Sequence, residues 1–395
     1  MGNPPSAPHA KVEKGAILSK EEQTNLTNGV YTYKCVNEAL LDPVLTPFWE
    51  LLTRMSPLWL HPNTMTLVGS TSLLPGFFLS AYYAWGMVEV SPMWLCLLSV
   101  TGVFLWQTLD NMDGRQARRL GLSSPIGDFF DHGLDILSLY LLITQVSSFL
   151  RPGGSLYPIL FITAQCSPFV LHYYVFWDRL WTRELYLGPI SITEGQFVIM
   201  AVMVAGGVSD GPFWQTETMF FGLQRGDLVM AAAAFVFTIV SPLGIVLRVL
   251  RHPSRKVSMA AAFARTADIL VVYSGCVLWA LSSSSLYTNP RLFMWAVGLC
   301  GANVATSMLL CSLMHGPNRG ILVSVLPWFG FCNSWIGSPI PDDHVVLAIL
   351  LAALSIQLYL MCGTLHDMRS YFQNRLFHVP IEQQKKVGDI ERKRQ

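Results

Sequence analysis

Asp110, Asp113, Asp131 and Asp135 fall, with Arg118 among them, in one short stretch of an otherwise apolar chain, LDNMDGRQARRLGLSSPIGDFFDHGLD. A carboxylate beside or inside hydrocarbon is costly to keep charged, so such residues mark a functional site by default. Asp110 and Asp113 are three residues apart and Asp131 and Asp135 four apart, spacings that put each pair on one helical face. If those faces meet across a short loop, four like charges converge, and divalent cations relieve the repulsion. Hard oxygen donors suit Mg2+ or Mn2+, and two such ions ~3.5–4 Å apart clamp both the attacking and the leaving oxygen in phosphoryl transfer. Arg118 adds a guanidinium that can hold a phosphate through two parallel hydrogen bonds. Two other uses of the acids are weaker. Neutralisation by Arg115, Arg118 and Arg119 leaves Asp131 and Asp135 on the far helix unexplained. A cation transporter would need its carboxylates strung across the membrane rather than gathered near one face.

The elements that must position these groups are helices. Gly114 reads as the stop of the first, and Ser123, Ser124 and Pro125 as the start of the second. Hydrophobic residues make up 52% of the chain and charged residues 13%, against roughly 25% charged in ordinary soluble domains. Mean hydropathy is +0.42, and a formal net charge of +1 leaves no footprint for nucleic acid. Stretches that supply the ~20 apolar residues of a membrane-spanning helix occur at about ten places. They are 64 to 85, 91 to 113, 129 to 150, 155 to 177, 194 to 214, 227 to 247, 261 to 283, 291 to 313, 320 to 337 and 343 to 365. Pro327 and Asn333 interrupt the ninth, which reads as broken or partly re-entrant. The fold expected is therefore all-α: a polytopic integral membrane protein with about ten spans, preceded by an interfacial amphipathic helix, EALLDPVLTPFWELLTRM.

The chain divides into a polar cytosolic arm over 1–35, without the apolar core and cleavage site of a signal peptide, and the interfacial helix over 36–58. The helices bearing the acids follow over 59–215, further spans over 216–366, and a basic tail over 367–395 expected to stay solvated near anionic lipid. With the N-terminus in the cytosol, the cytosolic loops hold Arg115, Arg118, Arg119, Arg179, Arg183, Arg251, Arg255, Lys256 and Arg319, and the opposite loops Arg151, Arg225 and Arg291. That bias puts both termini, and the acids, on the cytosolic side. The eight cysteines include no C-x-x-C pair and read as small apolar residues rather than a zinc or disulfide framework.

The run Asp110-x-x-Asp113-Gly114-x-x-Ala117-Arg118, eight residues, Gly127-x-x-x-Asp131-x-x-x-Asp135 resembles in full the signature of the CDP-alcohol phosphotransferases. PNTMT at 62 to 66, WQTLDNMDGRQARR, SSPIGDFFDHGLD and ITEGQ at 192 to 196 extend the resemblance to the eukaryotic choline/ethanolamine phosphotransferase branch. The resemblance implies transfer of phosphocholine or phosphoethanolamine from CDP-choline or CDP-ethanolamine to diacylglycerol, releasing CMP, in the last step of the CDP-alcohol (Kennedy) pathway. It implies Asp110, Asp113 and Asp131 as ligands of Mg2+ or Mn2+, with Asp135 a further ligand or the base. It also implies two ions, membrane lipid as the surroundings, and a homodimer. With no targeting signal read, the compartment expected is the endoplasmic reticulum membrane, or the Golgi.

For the proton on the acceptor hydroxyl, His132 is one candidate, oriented by a hydrogen bond from Asp128 four residues earlier on the same helix. Close relatives have glutamate where this chain has Asp128, and the shorter side chain reaches less far. Asp128 also suits the first turn of a helix on dipole grounds alone. Glu194 is a second candidate, although Ser191-x-x-Glu194 is equally a capping box. For the CDP-alcohol, Asn63 and Thr66 match family positions near the nucleotide, or else serve as helix cap and early-turn hydroxyl. Gly114 and Gly127 would allow close backbone approach, beside Ala117 and Arg118, while Gln107, one turn before Asp110, would contact cytosine. Tyr173, Tyr174, Phe176, Trp177 and Trp181 could bind choline through their ring faces, or mark the membrane interface.

Overall fold

The computed structural model describes residues 17–26, 31, 34–151, 157–190, 192–209, 213–219, 222–252, 264–372 and 376–393. In chain order the described elements begin with α1 (Lys20–Asn25), β1 (Cys35–Asn37), α2 (Asp42–Met55), α3 (Pro62–Thr71), α4 (Leu74–Tyr83), α5 (Met93–Leu120), α6 (Pro125–Leu150), α7 (Pro158–Thr182) and β2 (Leu185–Leu187). Then come α8 (Ile192–Val208), α9 (Arg225–Phe235), α10 (Ser241–Arg251), α11 (Ala267–Ser282), α12 (Ser285–Thr288) and α13 (Pro290–Met314). The last are α14 (Ile321–Ser324), α15 (Leu326–Trp335), α16 (Asp342–Phe372) and α17 (Ile381–Arg392). A π-helical turn at Val236–Val240 joins α9 to α10.

Among the described residues seven helices are long and apolar enough to cross a membrane: Pro62–Tyr83, α5, α6, α7, Arg225–Arg251, α13 and α16. Three expected spans are realised as shorter apolar helices, Ile192–Val208, Ala267–Ser282 and Ile321–Trp335, the last broken at Val325 before Pro327. The chain is a multi-pass, almost wholly helical membrane protein. Among the described residues it departs from all-α in a parallel pairing of β1 with β2, Cys35 opposite Leu185, and in an isolated antiparallel bridge between Glu217 and Gln224.

At the centre stands α13, whose best 18-residue window is 100% buried between α6, α7 and α16. Gly298 and Gly301 admit Tyr140 and Phe169 there, since an added Cβ would lie 3.0 Å from either ring. The buried Arg291 at its start donates to the carbonyls of Trp85 and Ala84 and to Ser148 Oγ, so carbonyls left open at the end of α4 are satisfied.

The helix stop expected at Gly114 lies elsewhere. α5 runs on to Leu120 and ends at Gly121, whose φ of +63° is left-handed and whose N–H returns to the Ala117 and Arg118 carbonyls. One mid-helix glycine costs only about 1 kcal/mol, and Gln116-Ala117-Arg118-Arg119-Leu120 is a run of good helix formers. The start of α6 is as expected: Ser124 Oγ accepts the Gly127 N–H at 3.3 Å, with Pro125 at the first helical position.

Two segments expected to be loose are docked. Part of the N-terminal arm is tied down where Asp367 accepts the Ile17 and Leu18 N–H groups at 2.8 and 2.9 Å, and Arg319 pairs with Glu22 at 2.7 Å. The rest of the arm lies outside the described residues except for Tyr31 and residues from 34 on. In the tail, α17 packs on the end of α5 through Val379, Val387 and Leu120, with Arg119 and Glu391 paired at 2.8 Å. Gln383 also donates to the Leu120 carbonyl, so polar as well as apolar side chains dock the helix, which composition by itself does not reveal. α2, the helix expected at the interface, buries Trp49 and Thr53 and leaves Val44, Phe48, Leu51 and Met55 exposed on one side.

α5 approaches the break between α3 and α4 closely. A Cβ at Gly102 would lie 2.7 Å from the Ser72 carbonyl oxygen, and Ser72 Oγ already donates to the Gly102 carbonyl at 2.8 Å. Because the obstacle is backbone, Gly102→Ala is expected to destabilise the protein by about 1–3 kcal/mol. A lowered midpoint of thermal unfolding checks this, and an unchanged midpoint contradicts it.

Candidate active site

The two helical faces converge. One ligand atom from each of Asp110, Asp113 and Asp131 lies within 4.8 Å of the others, and the same holds for Asp131, His132 and Asp135. Asp131 belongs to both triads. Carboxylates gathered this closely repel unless they share a proton or a cation. Asp131 Oδ1 and Asp135 Oδ1 are buried and, among the described residues, make no hydrogen bond. Acceptor-only oxygens aimed at one another with no donor suit a hard cation, so the residues fit a metal site. Asp113 differs in accepting the Thr66 hydroxyl. His132 was not foreseen as part of a ligand cluster, and its place beside Asp131 was the available signal.

Arg115 and Arg119 do not neutralise this cluster. Arg115 lies over the Trp49 ring at 5.0 Å and bonds Thr46. Arg119 donates to the Thr53 and Ser56 carbonyls at 2.7 and 2.8 Å. Both tie α5 to α2, an arrangement that local sequence cannot show. Arg118 alone of the three borders both cavities at the acids.

Those cavities differ in size. The smaller, about 100 Å³, is lined by Asn63, Thr66, Asp113, Gly114, Ala117, Arg118, Gly127 and Asp128 among others, so most of the residues expected at the nucleotide are brought together. Asn63 donates to the Leu376 carbonyl at 3.0 Å and is not the helix cap. That role falls to His61, whose Nδ1 accepts the Asn63 N–H at 3.1 Å. Burial pushes the His61 imidazole down to about 4, which keeps that nitrogen an acceptor. Gln107 is not there: it is buried and faces the Thr193 carbonyl on α8 at 3.5 Å, the helix turn having carried it away from the acids.

The larger cavity, about 680 Å³, is lined by Asp110, Asp131, His132 and Asp135 and also by Leu171, Val175, Phe176, Ile192, Val240 and Ile245. Of the five aromatics considered for choline, only Phe176 lines it, while Tyr173 and Trp177 are sealed in the core at 0% and 1% exposure.

The proton acceptors expected are placed unequally. His132 Nε2 stands 3.3 Å from Asp128 Oδ1, and its Nδ1 3.7 and 3.6 Å from Asp131 and Asp135. The Asp128 approach does not meet hydrogen-bond geometry. Asp128 is instead gripped by Arg179 and Tyr31, two residues that sequence reasoning missed because neither lies near it in the chain. Glu194 accepts the Leu41 N–H at 2.7 Å, at the start of α2. The capping box proposed for it involves Ser191, which lies outside the described residues.

The profile of the CDP-alcohol phosphatidyltransferase family matches residues 59–240. The chain is similar to cholinephosphotransferase 1 of Mus musculus, with 32% identity over 83% of this chain and 84% of that protein. It is 26% identical to cholinephosphotransferase 1 of Xenopus laevis over 90% and 88%. Choline/ethanolaminephosphotransferase 1 of Arabidopsis thaliana is 28% identical over 86% and 92%.

Proposed function

The chain belongs to the CDP-alcohol phosphatidyltransferase family, and on that premise we propose that it transfers phosphocholine or phosphoethanolamine from CDP-choline or CDP-ethanolamine to diacylglycerol, releasing CMP. The observation that carries this reading is that Asp131 and Arg118 border two cavities, a small one lined by most of the residues expected at the nucleotide and a large one whose lining also includes Leu171, Val175, Phe176, Val240 and Ile245. A charged donor and a lipid acceptor that meet at one phosphorus need room for both beside the acids.

Asn63, Thr66, Gly114, Ala117 and Gly127 border the donor, and Arg118 pairs with its phosphates. Asp110, Asp113, Asp131 and Asp135 would hold Mg2+ or Mn2+, which when bound neutralises phosphate charge and polarises the phosphorus centre. His132 accepts the proton of the acceptor hydroxyl as the new oxygen–phosphorus bond forms and the bond to CMP breaks. Asp135 would be occupied as a ligand, and Glu194 accepts the Leu41 N–H at the start of α2. The same reading places the protein in the endoplasmic reticulum or Golgi membrane, as a homodimer, with the site open to the cytosol.

Purified protein supplied with diacylglycerol, each CDP-alcohol in turn, and Mg2+ or Mn2+ is expected to release CMP from at least one donor. Chelation with EDTA should abolish that release and excess Mg2+ or Mn2+ restore it. Asp113→Ala should be inactive with both donors. No CMP from either donor in either metal overturns the proposal.

A further inference from the structure

Asp128, one turn before His132, has its carboxylate almost fully engaged. Arg179 Nη1 donates to Oδ1 at 3.0 Å, Arg179 Nη2 to Oδ2 at 2.5 Å, and the Tyr31 hydroxyl to Oδ2 at 2.9 Å. The pair is sealed, with side-chain exposures of 4% for Arg179 and 3% for Asp128. Arg179 comes from the last turn of α7, and the Tyr31 ring lies beneath its guanidinium at 5.9 Å. A carboxylate offers about four acceptor positions: the fork takes two and Tyr31 a third, while His132 Nε2 stands 3.3 Å from Oδ1 without completing a hydrogen bond. Asp128 is thereby unsuited to be a base or a metal ligand, since either role would break the fork. A planar guanidinium fixes the plane of a carboxylate as well as its position, which the point charge of lysine does not.

We propose that Arg179 is a positioning residue for the transfer step: its fork, aided by Tyr31, fixes Asp128 so that Asp128 orients the His132 imidazole. Contacts of this kind are often loose without substrate and tighten in the complex. The inference rests on His132 being the proton acceptor.

The test is steady-state CMP release by Arg179→Gln, Arg179→Lys, Asp128→Asn, the double variant Asp128→Asn with Arg179→Gln, and Tyr31→Phe. Each is compared with a wild type already shown to turn over, so silence of the wild type counts against the proposed function and not against this inference. Both Arg179 variants and Asp128→Asn are expected to lose about 100-fold in kcat with KM for the CDP-alcohol changed less than about threefold. The double variant should lose no more than either single one. Tyr31→Phe, which removes a hydroxyl alone, should lose about three- to tenfold in kcat. Wild-type kcat in Arg179→Lys would show that charge alone suffices and overturn the inference. A double-variant loss equal to the product of the singles would overturn it too, by placing Arg179 on the substrate, as would a loss confined to KM. Should Arg179→Gln fail to fold, Tyr31→Phe decides: reduced kcat at unchanged KM supports the inference, and wild-type kcat overturns it.

Discussion

Replacing Asp131 by asparagine is expected to lower CMP release by about 1,000-fold or more, the deepest loss of any single change at the site. Asp131 is the one residue common to both ligand triads and it lines both cavities. Asparagine keeps the size but replaces one acceptor oxygen with a donor and removes the charge that both clusters share. The variant should fold, because an uncompensated buried charge is removed rather than created. Two measurements check the point: turnover under saturating Mg2+ or Mn2+, and the metal concentration needed for half-maximal thermal stabilisation, which should rise sharply. Turnover within tenfold of wild type would remove Asp131 from the metal set.

His132→Gln is expected to lower kcat by about 100- to 1,000-fold, within the range that a positioned base contributes, with KM for both substrates little changed. Glutamine fills similar space and can still face Asp128, so the loss should report proton transfer rather than packing. His132 also stands in the second triad, and the two roles separate experimentally. Loss of a base leaves metal-dependent stabilisation intact, whereas loss of a ligand weakens it. Near-wild-type kcat would move the proton to Asp135 or Glu194, and for Glu194 the Leu41 N–H bond at 2.7 Å would have to be given up.

Much of the fold was legible because local rules govern it. Seven of the expected spans coincide with helices long and apolar enough to cross a membrane and three with shorter apolar helices, since hydropathy over about 20 residues reports the same requirement that the bilayer imposes. Ser124 and Pro125 begin α6 for reasons contained in four residues. The misplaced stop at Gly114 shows where local reasoning weakens, because a glycine tolerated inside a helix and one that ends it differ only in φ. α17 was missed for a related reason: its mean composition is polar, and the small apolar contact of Val379 and Val387 with Leu120 and the Arg119–Glu391 pair are made with residues far away in the chain.

The sequence by itself determined the acids, their two faces and the chemistry of hard oxygen donors, because spacings of three and four are properties of one helix. Only the tertiary structure decided what surrounds them. It sent Arg115 and Arg119 to α2 and turned Gln107 toward α8. It brought Arg179 and Tyr31 from 51 and 97 residues away onto Asp128. Periodicity records which side chains share a face, whereas which face meets which neighbour is set by packing of whole helices.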